Sequence, residues 1–80
     1  MPKLRVLSGE DLVKAFEKFD FVIVGQKGSH VKLQRYSSEE KQTLTIPLHK
    51  VLDRGITKAI YNQSLKYLSE KDLKPLFYTS

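Results

Sequence analysis

The chain has 80 residues, and its 14 basic and nine acidic side chains give a net charge of +5. This length predicts one small domain with a thin core. The absence of cysteine excludes a disulfide scaffold and a thiolate metal site, and it is typical of the reducing cytoplasm. No apolar stretch is long enough to span a membrane, and the N-terminal residues lack the apolar segment of a secretory signal.

A first helix is predicted over residues 9–19. Ser8 can cap its first turn, and Asp11 can return the hydrogen bond as in a capping box. Asp20 should end the helix, since aspartate tolerates a left-handed backbone better than most residues. The apolar face of this helix repeats at helical spacing and consists of Leu12, Ala15, Phe16 and Phe19.

Three strands should follow, because short runs of β-branched and aromatic residues alternate with polar stretches. The stretch 25–29 contains two glycines and predicts the first turn, and the stretch 37–42 predicts a polar loop. Pro47 should end the third strand because it has no N–H to donate to the ladder. The predicted strands are residues 21–24, 30–36 and 43–46.

The alternation in the second strand separates its side chains between two faces. Val31 and Leu33 point one way, and His30 and Lys32 point the other way. If the apolar pair faces the core, His30 and Lys32 lie on the solvent side of the sheet.

A second helix is predicted to open at Gly55 and to run to about Leu68. Its apolar stripe should consist of Ile56, Ala59, Ile60 and Gln63.

Ser69 can cap a short third helix, which Pro75 should kink or end in its first turn. Residues 78–80 are expected to form a frayed tail. The order of helix, three strands, helix and short C-terminal helix predicts a two-layer α+β domain with both long helices on one side of the sheet.

The middle of the chain is its basic part. Residues 21–36 contain Lys27, Lys32 and Arg35 and no acid, and from Lys41 to Ser69 only Asp53 opposes five cations. Such a surface suits a polyanion or an acidic protein partner, and the alternative is a solvated basic surface without a ligand.

The turn of Lys27, Gly28, Ser29 and His30 is the candidate site. Gly28 lets the backbone approach a phosphate closely, Ser29 can donate to a phosphate oxygen, and Lys27 and Lys32 can stabilise its charge. On the residues alone, an exposed histidine in a strand turn is more often inert than catalytic. Two histidines without cysteine or neighbouring carboxylates argue against a metal site.

Three segments together resemble the HicA toxins, also called the YcfA-like family. They are Lys27-Gly28-Ser29-His30, Pro47-Leu48-His49 and the stretch Gly55–Ile60. The resemblance covers about residues 8–73 and implies one HicA-like domain over 1–80, with the α-β-β-β-α fold of double-stranded-RNA-binding domains. The chain differs from the family pattern at Val31, where many members have a second histidine.

The resemblance also implies function. HicA-like proteins are endoribonucleases that cleave messenger RNA (mRNA interferases), and a HicB antitoxin holds them inactive. Carried over, His30 is the catalytic histidine, no cofactor is needed, and a HicB-like antitoxin covers the His30 face. RNA supplies its own 2′-hydroxyl nucleophile, and histidine suits the proton transfers because its ordinary pKa of about 6.5 lies near working pH. With one histidine in the turn, either water or His49 must take the second proton-transfer role.

Further RNA contacts are expected from residues after the third strand. These are His49, Lys50, Arg54 and Lys58. Tyr36 and Tyr61 could stack on a base, but packing in the core is favoured for both. Two other hypotheses stay open: a non-catalytic double-stranded-RNA-binding module, and a protein-interaction domain whose basic face docks an acidic partner.

Overall fold

A computed structural model describes residues 2–79. Its central order of helix, three strands and helix confirms the predicted two-layer α+β class, which is consistent with a double-stranded-RNA-binding-like fold. In chain order the elements are β1 (Lys3–Leu4), α1 (Gly9–Glu17), β2 (Val22–Lys27), β3 (His30–Ser37), β4 (Glu40–Pro47), α2 (Arg54–Ser64), α3 (Glu70–Phe77) and β5 (Tyr78–Thr79).

The main sheet is antiparallel in the order β2-β3-β4, and its strands are longer than predicted. The polar loop expected at 37–42 is a two-residue turn of Ser38 and Glu39, both with positive φ (52° and 66°). Positive φ at both central residues matches the twist of the flanking strands. The pairing therefore continues to the tip of the hairpin, where Ser37 pairs with Glu40.

The first predicted turn is also shorter than expected, because β2 continues to Lys27 and leaves only Gly28 and Ser29 between the strands. Gly28 has a φ of +59°, a conformation that glycine adopts without steric cost. Gly25 lies inside β2, beside an irregularity in the pairing between Ile23 and Gly25. An extra residue of this kind bends an edge strand.

Helix α1 begins with the predicted capping box. The Asp11 N–H donates to Ser8 Oγ, and the Ser8 N–H donates to Asp11 Oδ2, each at 3.0 Å. The helix ends at Glu17, two residues earlier than predicted, and Asp20 has the expected positive φ of 72°. Val13 is buried beside the predicted apolar face.

Helix α2 begins one residue before Gly55, because Asp53 caps it. The Ile56 N–H donates to Asp53 Oδ1 at 2.8 Å. The predicted end at Leu68 was wrong, since the helix ends at Ser64 and a turn follows.

The buried stripe of α2 also differs from the predicted one. Thr57, Ile60 and Ser64 are buried, and Ala59 is exposed. Both hydroxyls are satisfied inside the helix region: Thr57 Oγ1 donates to Asp53 O at 2.8 Å, and Ser64 Oγ donates to Tyr61 O at 2.9 Å. Hydroxyls with such local partners can be buried at little cost.

The segments near the two ends of the chain pair with each other. Lys3 pairs with Thr79 and Leu4 with Tyr78, so β1 and β5 form a second, two-stranded sheet. The prediction of a frayed tail was therefore wrong for Tyr78 and Thr79, and Ser80 lies outside the described residues. Pro75 lies within α3 without ending it.

The core lies between the main sheet and the helices, and both α1 and α2 pack over β4. Phe16 is its centre, with ring centroids 5.9 Å from Phe21 and 6.3 Å from Phe77. Its buried apolar side chains are Leu12, Val13, Phe16, Phe21, Val31, Leu33, Leu44, Ile46, Leu52, Ile60, Leu68, Leu73 and Phe77.

The start of α1 touches the end of β4 through backbone atoms. A Cβ added to Gly9 would lie 2.0 Å from Pro47 O and 2.8 Å from Leu48 Cα. The Gly9 N–H donates to His49 O at 3.0 Å, and the Leu52 N–H donates to Leu7 O at 2.8 Å. The residue at position 9 must therefore lack a side chain for this contact to form.

Arg35 belongs to the helix side of β3 and not to the basic surface. Its guanidinium donates to Phe19 O at 2.8 Å, to Tyr67 O at 3.2 Å and to the side chain of Gln42. It also lies 4.9 Å from the ring centroid of Phe21. Arg35 thus links the segments that follow α1 and α2 to the sheet through hydrogen bonds. Its guanidinium makes its contacts within the protein.

We expect Gly9→Ala to lower the free energy of unfolding by about 1–3 kcal/mol, because the new methyl group forces the helix and the Pro47 loop apart. Urea-induced unfolding measures this loss. Gly25→Ala is the control, since a Cβ there meets nothing within 4 Å and should change stability by less than about 0.5 kcal/mol. Equal stability of the two variants would contradict the assigned contact.

We expect Arg35→Met to lower the free energy of unfolding by about 2–3 kcal/mol, because two carbonyls and the Gln42 amide oxygen lose a charged donor. Lys32→Met is the matched control on the opposite face of the same strand, where a change within about 0.5 kcal/mol is expected. Thermal or urea unfolding compares them. A loss of the same size in both variants would show that Arg35 has no special structural role.

Candidate functional site

Within residues 2–79, one face of the main sheet carries no helix, and we call it the open face. Val31 and Leu33 are buried on the other side, whereas His30 and Lys32 are exposed, which confirms the predicted alternation. From the strand register, the open-face positions that are not buried are Val22, Gly25, Lys27, His30, Lys32, Gln34, Tyr36, Lys41, Thr43 and Thr45.

The candidate turn lies at one end of this face. Lys27 and His30 are cross-strand partners that flank Gly28 and Ser29. Side chains paired in this way are neighbours, with Cβ atoms about 4.5–5.5 Å apart. Gln26 Nε2 donates to Gly28 O at 3.0 Å, and a Cβ at Gly28 would meet nothing within 4 Å. The turn is therefore stabilised by the Gln26 side chain, and the space around Gly28 is open to a ligand.

The neighbouring strand holds the other side of the turn. The Leu48 N–H, just after β4, donates to Ser29 O at 2.6 Å, so a backbone hydrogen bond joins this segment to the turn. His30 is paired with Pro47, and its backbone position is thus fixed on both sides. The histidine lies on a regular strand and not on a loop.

His49 follows the end of β4. It lines a groove of about 520 Å³ between the start of α1 and the hairpin of β2 and β3. Its carbonyl is held by the Gly9 N–H. The groove is lined by Ser8, Glu10, Val13, Ile23, Gln26, Val31, Leu48, His49 and Lys50. The structure therefore places the two histidines in different surroundings.

The remaining predicted cations follow His49. Lys50 lies in the connection after β4, and Arg54 and Lys58 are exposed on the first turns of α2. Because the helix begins at Arg54, these two side chains are four residues apart and lie on the same side of the helix. They form a second basic cluster, separate in the chain from the turn at His30.

The cations of the site form no ion pair with any residue in the described range 2–79. The two ion pairs among residues 2–79 join Glu10 to Lys14 at 3.5 Å and Glu70 to Lys74 at 2.7 Å, both on helices. The hydrogen bond from the Ser8 backbone holds the pKa of Asp11 below its ordinary value, and this group is also outside the open face.

The described part of the chain contains no group of three or more His, Cys, Asp or Glu side chains that could hold a metal ion. It also contains no helix that is long and apolar enough to cross a membrane.

Tyr36 is the open-face residue that the sequence analysis misplaced. The prediction of core packing was correct in part for Tyr61. Its side chain is half-buried, and its ring centroid lies 5.2 Å from that of Phe77 and 5.4 Å from that of Tyr78. It was wrong for Tyr36, which is 74% exposed and lies opposite Lys41. The signal was available, because Tyr36 has the same strand parity as His30.

A family model described as "HicA toxin of bacterial toxin-antitoxin" matches residues 9–66. No curated protein and no solved structure matches the chain. The matched range contains every predicted site residue, from Lys27 to Lys58, and it ends before α3 and β5.

Proposed function

The chain belongs to the HicA family of toxins from bacterial toxin–antitoxin systems, and on this premise we propose that it is a metal-independent endoribonuclease that cleaves messenger RNA in the cytoplasm. The observation that carries the proposal is the exposed pair of Lys27 and His30 at the end of a basic sheet face. An acid–base group beside a cation is what cleavage of a phosphodiester needs.

In the proposed reaction the 2′-hydroxyl of RNA loses its proton and attacks the adjacent phosphorus. The bond from phosphorus to the 5′-oxygen breaks, and that oxygen takes up a proton. The products are a 2′,3′-cyclic phosphate and a 5′-hydroxyl, so the reaction consumes no cofactor. His30 carries one of the two proton transfers, which is typically worth about 10²–10⁴-fold in rate.

The neighbours of His30 have supporting roles in this proposal. Lys27 and Lys32 stabilise the charge on the phosphorane, Gly28 leaves room for a phosphate at the backbone, and Ser29 donates to a phosphate oxygen. His49 lines the groove between the start of α1 and the hairpin of β2 and β3, and this placement favours water for the second proton transfer. His49 is then a secondary residue of the RNA-binding surface.

Lys50, Arg54 and Lys58 contribute phosphate contacts next to the start of α2. Their exposure and their lack of ion pairs among residues 2–79 support this role. Phosphate contacts of this kind supply affinity without base specificity.

The proposed protein partner is a HicB-like antitoxin that covers the His30 face. The basic charge of that face suits an acidic partner. The adjoining strand β2 supports the proposal, because it is one of the two edge strands of the main sheet and exposes Val22, Ile23 and Val24. An uncovered apolar edge strand is a common place for a partner strand to pair.

The second candidate function is a non-catalytic double-stranded-RNA-binding module. The fold favours it, since domains of this type bind duplex RNA by shape and through phosphate contacts. The two candidates differ in one respect: only the ribonuclease requires the His30 side chain for its effect on RNA.

We expect His30→Ala to lower the cleavage rate by at least about 10²-fold, because the acid–base group is lost, while RNA affinity changes only a few-fold. Growth arrest and messenger-RNA decay after induction, with matched expression levels, report the loss in cells. Cleavage of a labelled RNA by the purified chain reports it in solution.

His49→Ala is the control and should retain most of the cleavage. Loss of cleavage in His49→Ala with retention in His30→Ala would reverse the proposed order of the two histidines. RNA binding without cleavage by the wild-type chain would instead support the double-stranded-RNA-binding module.

We expect Lys58→Ala to weaken RNA binding at low salt and to reduce the slope of log affinity against log salt by about one, because one phosphate contact is lost. Lys71→Ala is the matched control, since Lys71 is exposed on α3 outside the site. Titrations at several salt concentrations measure both slopes. An unchanged slope for Lys58→Ala would remove this residue from the RNA-binding surface.

A further inference from the structure

We propose that the open face binds single-stranded RNA along β3, with the ring of Tyr36 as a base-stacking platform at the end of the face remote from His30. The inference deepens the proposed ribonuclease function, because it assigns the form of the substrate and a binding residue distant from the reacting phosphate. It commits the open face to an unpaired strand and not to a duplex.

Tyr36 lies near the tip of the hairpin of β3 and β4, one residue pair from the turn and opposite Lys41. Its side chain is 74% exposed. A large aromatic ring is costly to leave in water, and Tyr61, by contrast, packs against two other rings. An exposed ring on a sheet face offers a surface on which any base can stack.

The open face is basic. Lys27, Lys32 and Lys41 lie on the open face with His30, and none of the nine acids of the chain occupies an open-face position. Neither of the ion pairs among residues 2–79 includes these lysines. A surface of one sign with free ammonium groups attracts the phosphates of a nucleic acid.

A polar strip connects the two ends of the open face. Gln34, Thr43 and Thr45 lie between Tyr36 and His30 on the open face. Their amide and hydroxyl groups can donate to and accept from bases and riboses. The face is therefore continuous, with an aromatic end, a polar middle and a histidine end.

The geometry selects the single strand. Tyr36 and His30 are six residues apart on one strand, which corresponds to about 20 Å, so a ligand that reaches both must extend over several nucleotides. A base can stack on a protein ring only when it is unpaired, because duplex bases are stacked on each other inside the helix. The ring of Tyr36 is thus useful to a single strand and without use to a duplex.

The test uses the full chain with His30→Ala, so that the probe stays intact. The probes are a fluorescent 12-nucleotide oligouridylate and an RNA duplex of the same length, and fluorescence anisotropy measures their affinities. Adding Tyr36→Ala should weaken binding of the oligouridylate by about 5- to 100-fold and leave duplex affinity unchanged. Adding Tyr36→Phe should keep the affinity within about twofold, because the ring remains.

Lys41→Ala, compared with Lys71→Ala, adds the electrostatic control. Lys41→Ala should reduce the salt slope for the oligouridylate by about one, or slightly less for a single strand, and Lys71→Ala should not change it. Circular dichroism should show the same fold in all variants, as expected for exposed positions.

Three other outcomes would each overturn a different part of the proposal. Equal affinity of the oligouridylate for Tyr36→Ala and its parent would remove Tyr36 from the binding surface. An equal loss for the duplex would rule out the preference for a single strand. If the wild-type chain cleaves RNA in either of these cases, the ribonuclease function stands and only the path along β3 fails. Absence of binding to both probes by the parent would overturn the RNA-binding function as a whole.

Discussion

The backbone contact between Gly9 and Pro47 is the constraint on which the site depends. It brings the first turn of α1 against the end of β4, with only a hydrogen atom at position 9 to separate them. The same segment of chain then donates from Leu48 to Ser29 O and so braces the turn that precedes His30. If α1 packed elsewhere along β4, the segment after Pro47 would lose this contact. The position of the turn relative to the open face would then be less constrained. The capping box of α1 is adjacent, because Ser8 both starts the helix and precedes the glycine that makes the contact.

The side chains on the two faces of strand β3 have different roles. On the helix side, Val31 and Leu33 fill the core, and Arg35 binds the carbonyls that end two other segments. On the open side, Lys32 and His30 project to solvent. A single strand can serve both purposes because side chains alternate with a period of two. The basic residues of this strand therefore have opposite roles, and only their parity distinguishes the structural arginine from the exposed lysine.

The thin core has a functional consequence. Both helices pack over β4, and β2 is left exposed along its whole length. A domain of this size cannot cover both faces and both edges of its sheet. What it leaves uncovered is a basic face with His30 and an apolar edge beside it. Under the proposed function the basic face binds RNA, and the adjoining edge lets one antitoxin cover both surfaces.

The sequence by itself determined the order of the elements from α1 to α3, the cap of α1 and the sides of the sheet on which Val31, Leu33, His30 and Lys32 lie. These features depend on interactions within a few residues, so local spacing encodes them. The resemblance in the segments at His30 and Pro47 also identified the family that the comparison later matched. The tertiary structure alone decided the hydrogen-bond partners of Arg35, the groove that His49 lines and the pairing of Leu4 with Tyr78. Each of these depends on groups that are distant in sequence and meet only after the chain has folded. A local sequence pattern contains no information about such partners. The side chain of an arginine or a tyrosine can lie either in solvent or in an interior that provides carbonyl groups and aromatic rings.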